Sequence, residues 1–288
     1  MIAITGATGA LGSRVTRLLA ERGDPLRLLV RDAGRAPQVD AEIAIISDYT
    51  DSDAARAGLS GCDTMLLVSA RESADRVTEH SSMIDAAAAA GVDKIVYISF
   101  QSAAPDATFT FARDHFHTEQ LIAAGGARHV FLRDSLYQAG LAGMAGADGI
   151  IRGPAGDGAV AAVGHDDVAA VVARVLTDDR WDGRTLDVTG PAALTLAEVA
   201  AELTAVSGRR VRYQAESEEE AYASRAHYSA PLFEVKGWVT SYQAIATGEL
   251  GAVTSTVEEI TGQQPQSFAD FLRTHPHAWS HLADSDPS

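Results

Sequence analysis

Three glycines stand at G-x-x-G-x-x-G spacing in Ile4-Thr5-Gly6-Ala7-Thr8-Gly9-Ala10-Leu11-Gly12, between an apolar run and the amphipathic stripe Val15, Leu18, Leu19. That order suits a pyrophosphate. Gly6 lets a strand turn sharply, Gly9 removes the Cβ that would hold backbone away from phosphate, and Gly12 lets the following helix close on the strand. A helix starting near Ala10 aims unpaired N–H groups and its positive dipole end at the anion. Gly6, Ala7, Thr8, Gly9, Ala10, Leu11 and Gly12 therefore read as a dinucleotide cradle, against the plainer reading of a tight strand-to-helix turn.

Further candidates follow at the ends of the next strands. Leu28-Leu29-Val30 runs into Arg31-Asp32, the position that faces the adenosine ribose in this kind of fold. A guanidinium at Arg31 suits the 2′-phosphate of NADP(H). Asp32 one position on would suit the 2′-hydroxyl of NAD(H), so NADP(H) is preferred and NAD(H) stays open. Asp48 and Tyr49 follow the third strand, where they rim an adenine or, for Asp48, cap a helix. Ser69 and Ala70 follow the fourth, where small residues let a dinucleotide cross the sheet edge.

These positions need a scaffold. From Met1 to about Arg133, apolar runs at 2–5, 26–30, 43–46, 64–69, 94–99 and 129–133 alternate with helical patterns, the clearest at 9–21, 74–90 and 110–124. Glycines 23, 91 and 125 close those helices. Such alternation predicts an α/β fold, a doubly wound parallel sheet of the Rossmann type. A helix over 166–176 and a seventh strand over 185–188 complete a core of residues 1–190, interrupted by a glycine-rich substrate-side insertion at about 136–164. Residues 191–288 form a smaller, mostly helical lobe that begins at a cap on Thr195 and holds an acidic cluster at Glu216, Glu218, Glu219 and Glu220. In that lobe Tyr222, Phe233, Trp238 and Tyr242 read either as lobe core or as an aromatic wall for substrate; Trp238 is kept as a substrate candidate.

Composition narrows the partners. With 39 acidic against 23 basic residues and a formal charge of −16, the chain lacks the clustered lysine and arginine that nucleic-acid phosphates require. No uncharged run approaches the roughly 20 residues of a bilayer span, and with no basic or apolar leader pattern ahead of the first strand no targeting segment is expected. A cytoplasmic protein acting on a small molecule is expected. Cys62 is the only cysteine, so no internal disulfide forms. His275, His277 and His281 lack an accompanying carboxylate pattern, and no metal site is expected. The residues from about Ala283 read as a frayed tail.

With the glycine motif, Val30-Arg31, Asp48-Tyr49, His115 to Glu119 and Gly156-Asp157-Gly158 ahead of the Asp166 helix in place, the chain resembles the atypical short-chain dehydrogenases of the NmrA-like group. Within it the likeness is strongest to bacterial NAD(P)H:quinone oxidoreductases, from Met1 to about Gly208. The resemblance implies a cofactor on Gly6 to Gly12 and Arg31, with Ser69 beneath it. Tyr137 and Gln138 then approach the nicotinamide, and Ser99, Gln101 and Ser102 lie on the substrate side. It also exposes a departure. Ordinary short-chain dehydrogenases protonate the forming alkoxide with a Tyr-x-x-x-Lys pair, and here the corresponding helix reads Phe111-Ala112-Arg113-Asp114-His115.

His115 is thus a candidate acid, a candidate ribose ligand, or neither. A quinone, easily reduced, needs little beyond hydride transfer. Three functions fit: a reductase of quinone-like acceptors, a regulator that senses the nucleotide without turnover, and a tailoring enzyme acting on an imine, enone or carbonyl. A homodimer is compatible with each.

Overall fold

A computed structural model of the chain describes residues 1–283; beyond Ala283, the tail expected to fray lies outside them. Apolar runs bounded by turn residues form β1 (Ile2–Thr5), β2 (Leu26–Val30), β3 (Glu42–Ile45), β4 (Thr64–Leu67), β5 (Lys94–Phe100) and β6 (Arg128–Asp134). Short strands β7 (Ile150–Gly153) and β8 (Ala159–Val160) follow, then β9 (Thr185–Val188), β10 (Leu194–Thr195) and β11 (Arg212–Ala215). Seven strands pair in parallel in the order β3-β2-β1-β4-β5-β6-β9. The winding reverses between β1 and β4, which opens a crevice at the carboxyl ends of the strands, where such sheets bind their ligands.

Six helices attend this sheet and the insertion: α1 (Ala10–Glu21), α2 (Ser52–Leu59), α3 (Arg76–Ala90), α4 (Thr110–Ala124), α5 (Gln138–Ala142) and α6 (His165–Val175). Successive strand residues face opposite sides of the sheet, and the two sets bury against different helices. Ile4, Leu28, Leu66, Val96 and Leu132 share a cluster with Leu11, Val15 and Leu19 of α1 and Val168 and Val172 of α6. Leu29, Met65, Leu67, Ile95 and Phe131 join Leu59 of α2, Met83 and Ile84 of α3 and Ile122 of α4. At the amino edge of the sheet, buried Lys94 reaches the Val175 carbonyl at 3.0 Å and Asp182 at 2.7 Å, tying β5 to the end of α6.

Glycine ends α1 and α3 as expected, through the left-handed residues Gly23 and Gly91. In α4 the turn falls one residue later. Gly125 stays helical and bonds to the Leu121 and Ile122 carbonyls, and Gly126 takes the positive φ.

The rest of the chain builds α7 (Leu196–Ser207), α8 (Glu218–Arg225), α9 (Leu232–Ala246), α10 (Thr256–Thr261), α11 (Phe268–Thr274) and α12 (Ser280–Ala283). Thr195 and Glu198 form a capping box on α7, as Ser217 and Glu220 do on α8. Glu218 and Glu219 sit exposed in the first turn of α8, favourable to its dipole, whereas Glu216 is buried in an ion pair with Arg225 at 3.1 Å.

The two parts interleave in space across the expected division at residue 190. From the insertion, β7 pairs with β11 and β8 with β10, while Val257 of α10 belongs to the cluster shared by α1 and α6. No helix among the described residues is long and apolar enough to cross a membrane.

Candidate active site

The cradle is built by sterics. Thr5 Oγ1 donates to the Leu66 carbonyl and accepts from the Val68 N–H, which fixes β1 against the end of β4. The chain then reverses at Gly6, φ +62°. A Cβ on Gly12 would lie 2.3 Å from the Gly6 carbonyl oxygen, so the first turn of α1 approaches the loop at a distance only glycine permits. Gly9 is the N-cap residue of α1, and no side chain caps the helix or places an acid in its first turn. The N–H groups at that end remain available to an anion. Ala7 and Leu11 are buried in the α1 cluster, so their side chains pack and only their main chain faces the cradle.

Arg31 is the first residue past β2, exposed and without a hydrogen bond or ion pair among the described residues. Its neighbour Asp32 is occupied, accepting the Gly34 N–H at 2.9 Å to cap a 3₁₀ turn at residues 33–35. A free guanidinium beside a committed carboxylate fits a 2′-phosphate better than a 2′-hydroxyl. After β3, Asp48 accepts from the N–H and hydroxyl of Thr50, which holds its carboxyl below the usual range; Asp51 caps α2. The Tyr49 hydroxyl donates to the Val68 carbonyl at 2.8 Å, and burial raises its pKa to about 12. Ser69 and Ala70 are half-buried beside the cradle; the Ala70 N–H is held by His80 Nε2 at 2.8 Å.

The chemistry-bearing candidates from the resemblance fare differently, and several require correction. His115 lies in the seam between α4 and β5, only 6% exposed, with Nδ1 2.9 Å from the Tyr97 hydroxyl. Burial, with the nearby Arg76 charge, holds its pKa well below the ordinary value. An imidazole kept neutral in this way lacks the acidic imidazolium proton of a general acid.

Ser99 faces neither crevice nor solvent. It is fully buried and donates to Glu119 at 2.5 Å, while Arg133 holds both oxygens of that carboxylate. Its hydroxyl is committed to bracing β5, α4 and β6. Gln101 is also buried, its amide donating to the Ala252 carbonyl, and Gln138 spans from the Ala162 to the Gln266 carbonyl. Gln101 ties the end of β5 to the lobe, and Gln138 ties the insertion to it. Trp238 packs at the α8–α9 corner, against the cluster of Ala221, Val235 and Val239 and edge-on to Tyr228.

Tyr137, by contrast, stands half-exposed at the carboxyl edge of β6. Its ring stacks on His165 at 3.8 Å between centroids, and its hydroxyl donates to Asp134. Asp134, the last residue of β6, is 4% exposed, and burial raises its pKa to about 7. The pair can hold or release a proton near neutral pH. Sequence reasoning missed Asp134 because nothing in Arg133-Asp134-Ser135 distinguishes it from a polar strand end; its three-residue spacing to Tyr137 was the available signal. Among the described residues no group of histidine, cysteine, aspartate or glutamate is arranged to hold a metal.

Comparison with known proteins agrees with this geometry. The description of the NmrA-like family matches residues 1–272. NAD(P)H azoreductase of Xenophilus azovorans is 32% identical over 97% of this chain and 99% of its own length. Quinone oxidoreductase 2 of Escherichia coli is 35% identical over 94% and 96%. The crystal structure of the latter enzyme complexed with NADPH superposes with a TM-score of 0.87 at 31% identity, covering 95% of this chain and 99% of that one. A match of this extent, on a sheet wound in this order and opened by this glycine loop, establishes that the chain belongs to the NmrA-like family.

Proposed function

We infer that the chain is an NADP(H)-dependent oxidoreductase that reduces a quinone-like or other electron-poor acceptor. The observation that carries this reading is the steric cradle of Gly6, Gly9 and Gly12 at the uncapped amino end of α1, completed by the unpaired Arg31. The relatives named as azo and quinone reductases, one of them solved with NADPH, support the same activity.

The dihydronicotinamide, when bound, supplies the hydride. The protein's own part is to hold the pyrophosphate on main-chain amides at the end of α1 and the 2′-phosphate on Arg31. NAD(H), lacking that phosphate, binds through the same amides alone. Asp134 and Tyr137 keep a proton at the carboxyl edge of β6, where the reduced acceptor needs one. A Tyr-x-x-x-Lys pair is dispensable because a hydroquinone oxygen is far less basic than an alkoxide. Since NADPH is an intracellular reductant, we place the activity in the cytoplasm.

The direct test is NADPH consumption with a panel of quinones and azo dyes. Steady oxidation dependent on acceptor is expected. Tight NADPH binding with no consumption against any acceptor would instead point to a nucleotide sensor.

A further inference from the structure

Arg76 opens α3, directly after the loop that leaves the carboxyl end of β4. It is 5% exposed, its Nε has no hydrogen-bond partner, and among the described residues it makes no ion pair. The groups its charge acts on show where it lies: Tyr49 after β3, His80 of α3, Tyr97 of β5, Asp114 and His115 of α4, and Asp134 at the end of β6. Asp134 ends β6 at the carboxyl edge of the sheet, His80 bonds to the Ala70 N–H just past β4, and Tyr97 and His115 are buried in the seam of β5 and α4; β5 and β6 lie two and three strands from the pyrophosphate cradle on β1. Both histidines are held neutral and neither carboxylate bonds to the guanidinium.

Guanidinium cannot shed its proton in a protein, and taking it out of water without a counter-charge costs several kcal/mol. A chain with 39 acidic residues leaves this buried cation without a carboxylate partner among the described residues, beside the carboxyl edge of β4. On α4 the cation is Arg113, whose Nε is turned to the Ala107 carbonyl.

We propose that Arg76 receives an anionic oxygen of the acceptor at the reacting end. The oxygen is either a carboxylate or sulfonate that the acceptor carries, or the ring oxygen that becomes negative as reduction proceeds. In the second case the C–H bond of the dihydronicotinamide breaks and its hydride, with two electrons, bonds to the acceptor. The charge appears on the acceptor's oxygen beside Arg76, and a proton from water or the Tyr137–Asp134 pair completes the hydroquinone. This assignment rests on the reductase reading.

The test compares wild type, Arg76→Gln and Arg76→Lys, each saturated with NADP⁺ for binding and with NADPH for turnover. The probes are 1,4-naphthoquinone and its 2-sulfonate. A carried anion predicts that Arg76→Gln binds the sulfonate about tenfold more weakly or worse and the neutral quinone within about twofold of wild type. A developing oxyanion predicts a kcat for the neutral quinone about tenfold or more lower, with KM nearly unchanged. Arg76→Lys recovers part of either loss.

The melting midpoint of Arg76→Gln should equal or exceed that of wild type, because an unanswered buried charge is removed. Arg76→Met serves if the glutamine variant does not fold. Wild-type binding and turnover with both probes would overturn the proposal. So would an equal loss of binding affinity for both quinones, or a midpoint lowered by more than about 5 °C, the mark of a structural cation. Failure of wild type to oxidise NADPH with any acceptor would sink the reductase reading instead, and the binding comparison would still judge Arg76.

Discussion

The Tyr97 hydroxyl and His115 Nδ1 lie 2.9 Å apart inside the seam between β5 and α4, and both side chains are buried. The bond joins a phenol whose pKa burial has raised to an imidazole whose pKa burial has lowered, so neither ionises near neutral pH. His115→Gln keeps a polar partner for Tyr97 and should leave kcat within about twofold of wild type, with an unchanged pH profile. His115→Ala strands the hydroxyl and should cost about 1–3 kcal/mol of stability in urea denaturation. Lost turnover in the glutamine variant, with stability intact, would return the histidine to the chemistry.

Asp134 gives the protein a distinct dependence on pH. Its pKa is raised from 3.8 to about 7 in the folded state, so between those values the native protein keeps a proton that the unfolded chain has released. Stability from this group is complete below about pH 4 and is lost as pH rises through about 7, on the order of 4 kcal/mol in all. Asp134→Asn cannot ionise yet still accepts from Tyr137. Its melting midpoint should be flatter than that of wild type over this range and higher at about pH 8. A wild-type midpoint that holds level from pH 5 to 8, after correction for the asparagine variant, would contradict this.

Arg31 is free where Asp32 is committed to Gly34, so the cofactor preference should reside in one side chain. Arg31→Ala should weaken NADPH binding by about 1.5–3 kcal/mol, the range of a charge-assisted hydrogen bond, and leave NADH nearly unaffected. Fluorescence titration with both nucleotides measures this. Equal losses for the two would show that Arg31 does not read the 2′-phosphate.

What the sequence made legible divides along physical lines. Strands such as Ile2–Thr5 and Leu26–Val30 could be placed almost to the residue, because a parallel sheet buried on both faces demands short unbroken apolar runs between glycine-closed helices. Gly6 and Gly12 were legible because their backbone roles tolerate no other residue. Side-chain direction was harder. Ser99 at a strand end looks the same in sequence whether it meets substrate or, as here, the buried Glu119–Arg133 pair twenty and more residues away. Arg76 and Asp134 were missed for the converse reason: their character comes from burial without a counter-ion, and burial is a property of the assembled fold.

Gly12→Ala is the sharpest test of the cradle because its clash is with backbone. The added methyl would sit 2.3 Å from the Gly6 oxygen, 2.7 Å from the Gly6 carbonyl carbon and 3.0 Å from the Ala7 Cα, and no rotamer change relieves contacts of that kind. Either α1 withdraws from β1 or the loop at residues 6–9 shifts, and each moves the N–H groups off the phosphate position. Overpacking of this sort typically costs 1–3 kcal/mol or more, so the variant should melt lower and bind NADPH and NADH alike at least about tenfold more weakly. The uniform loss separates it from Arg31→Ala, which discriminates between the two nucleotides. Retained affinity for both, in a folded Gly12→Ala protein, would mean that the dinucleotide does not lie on this loop.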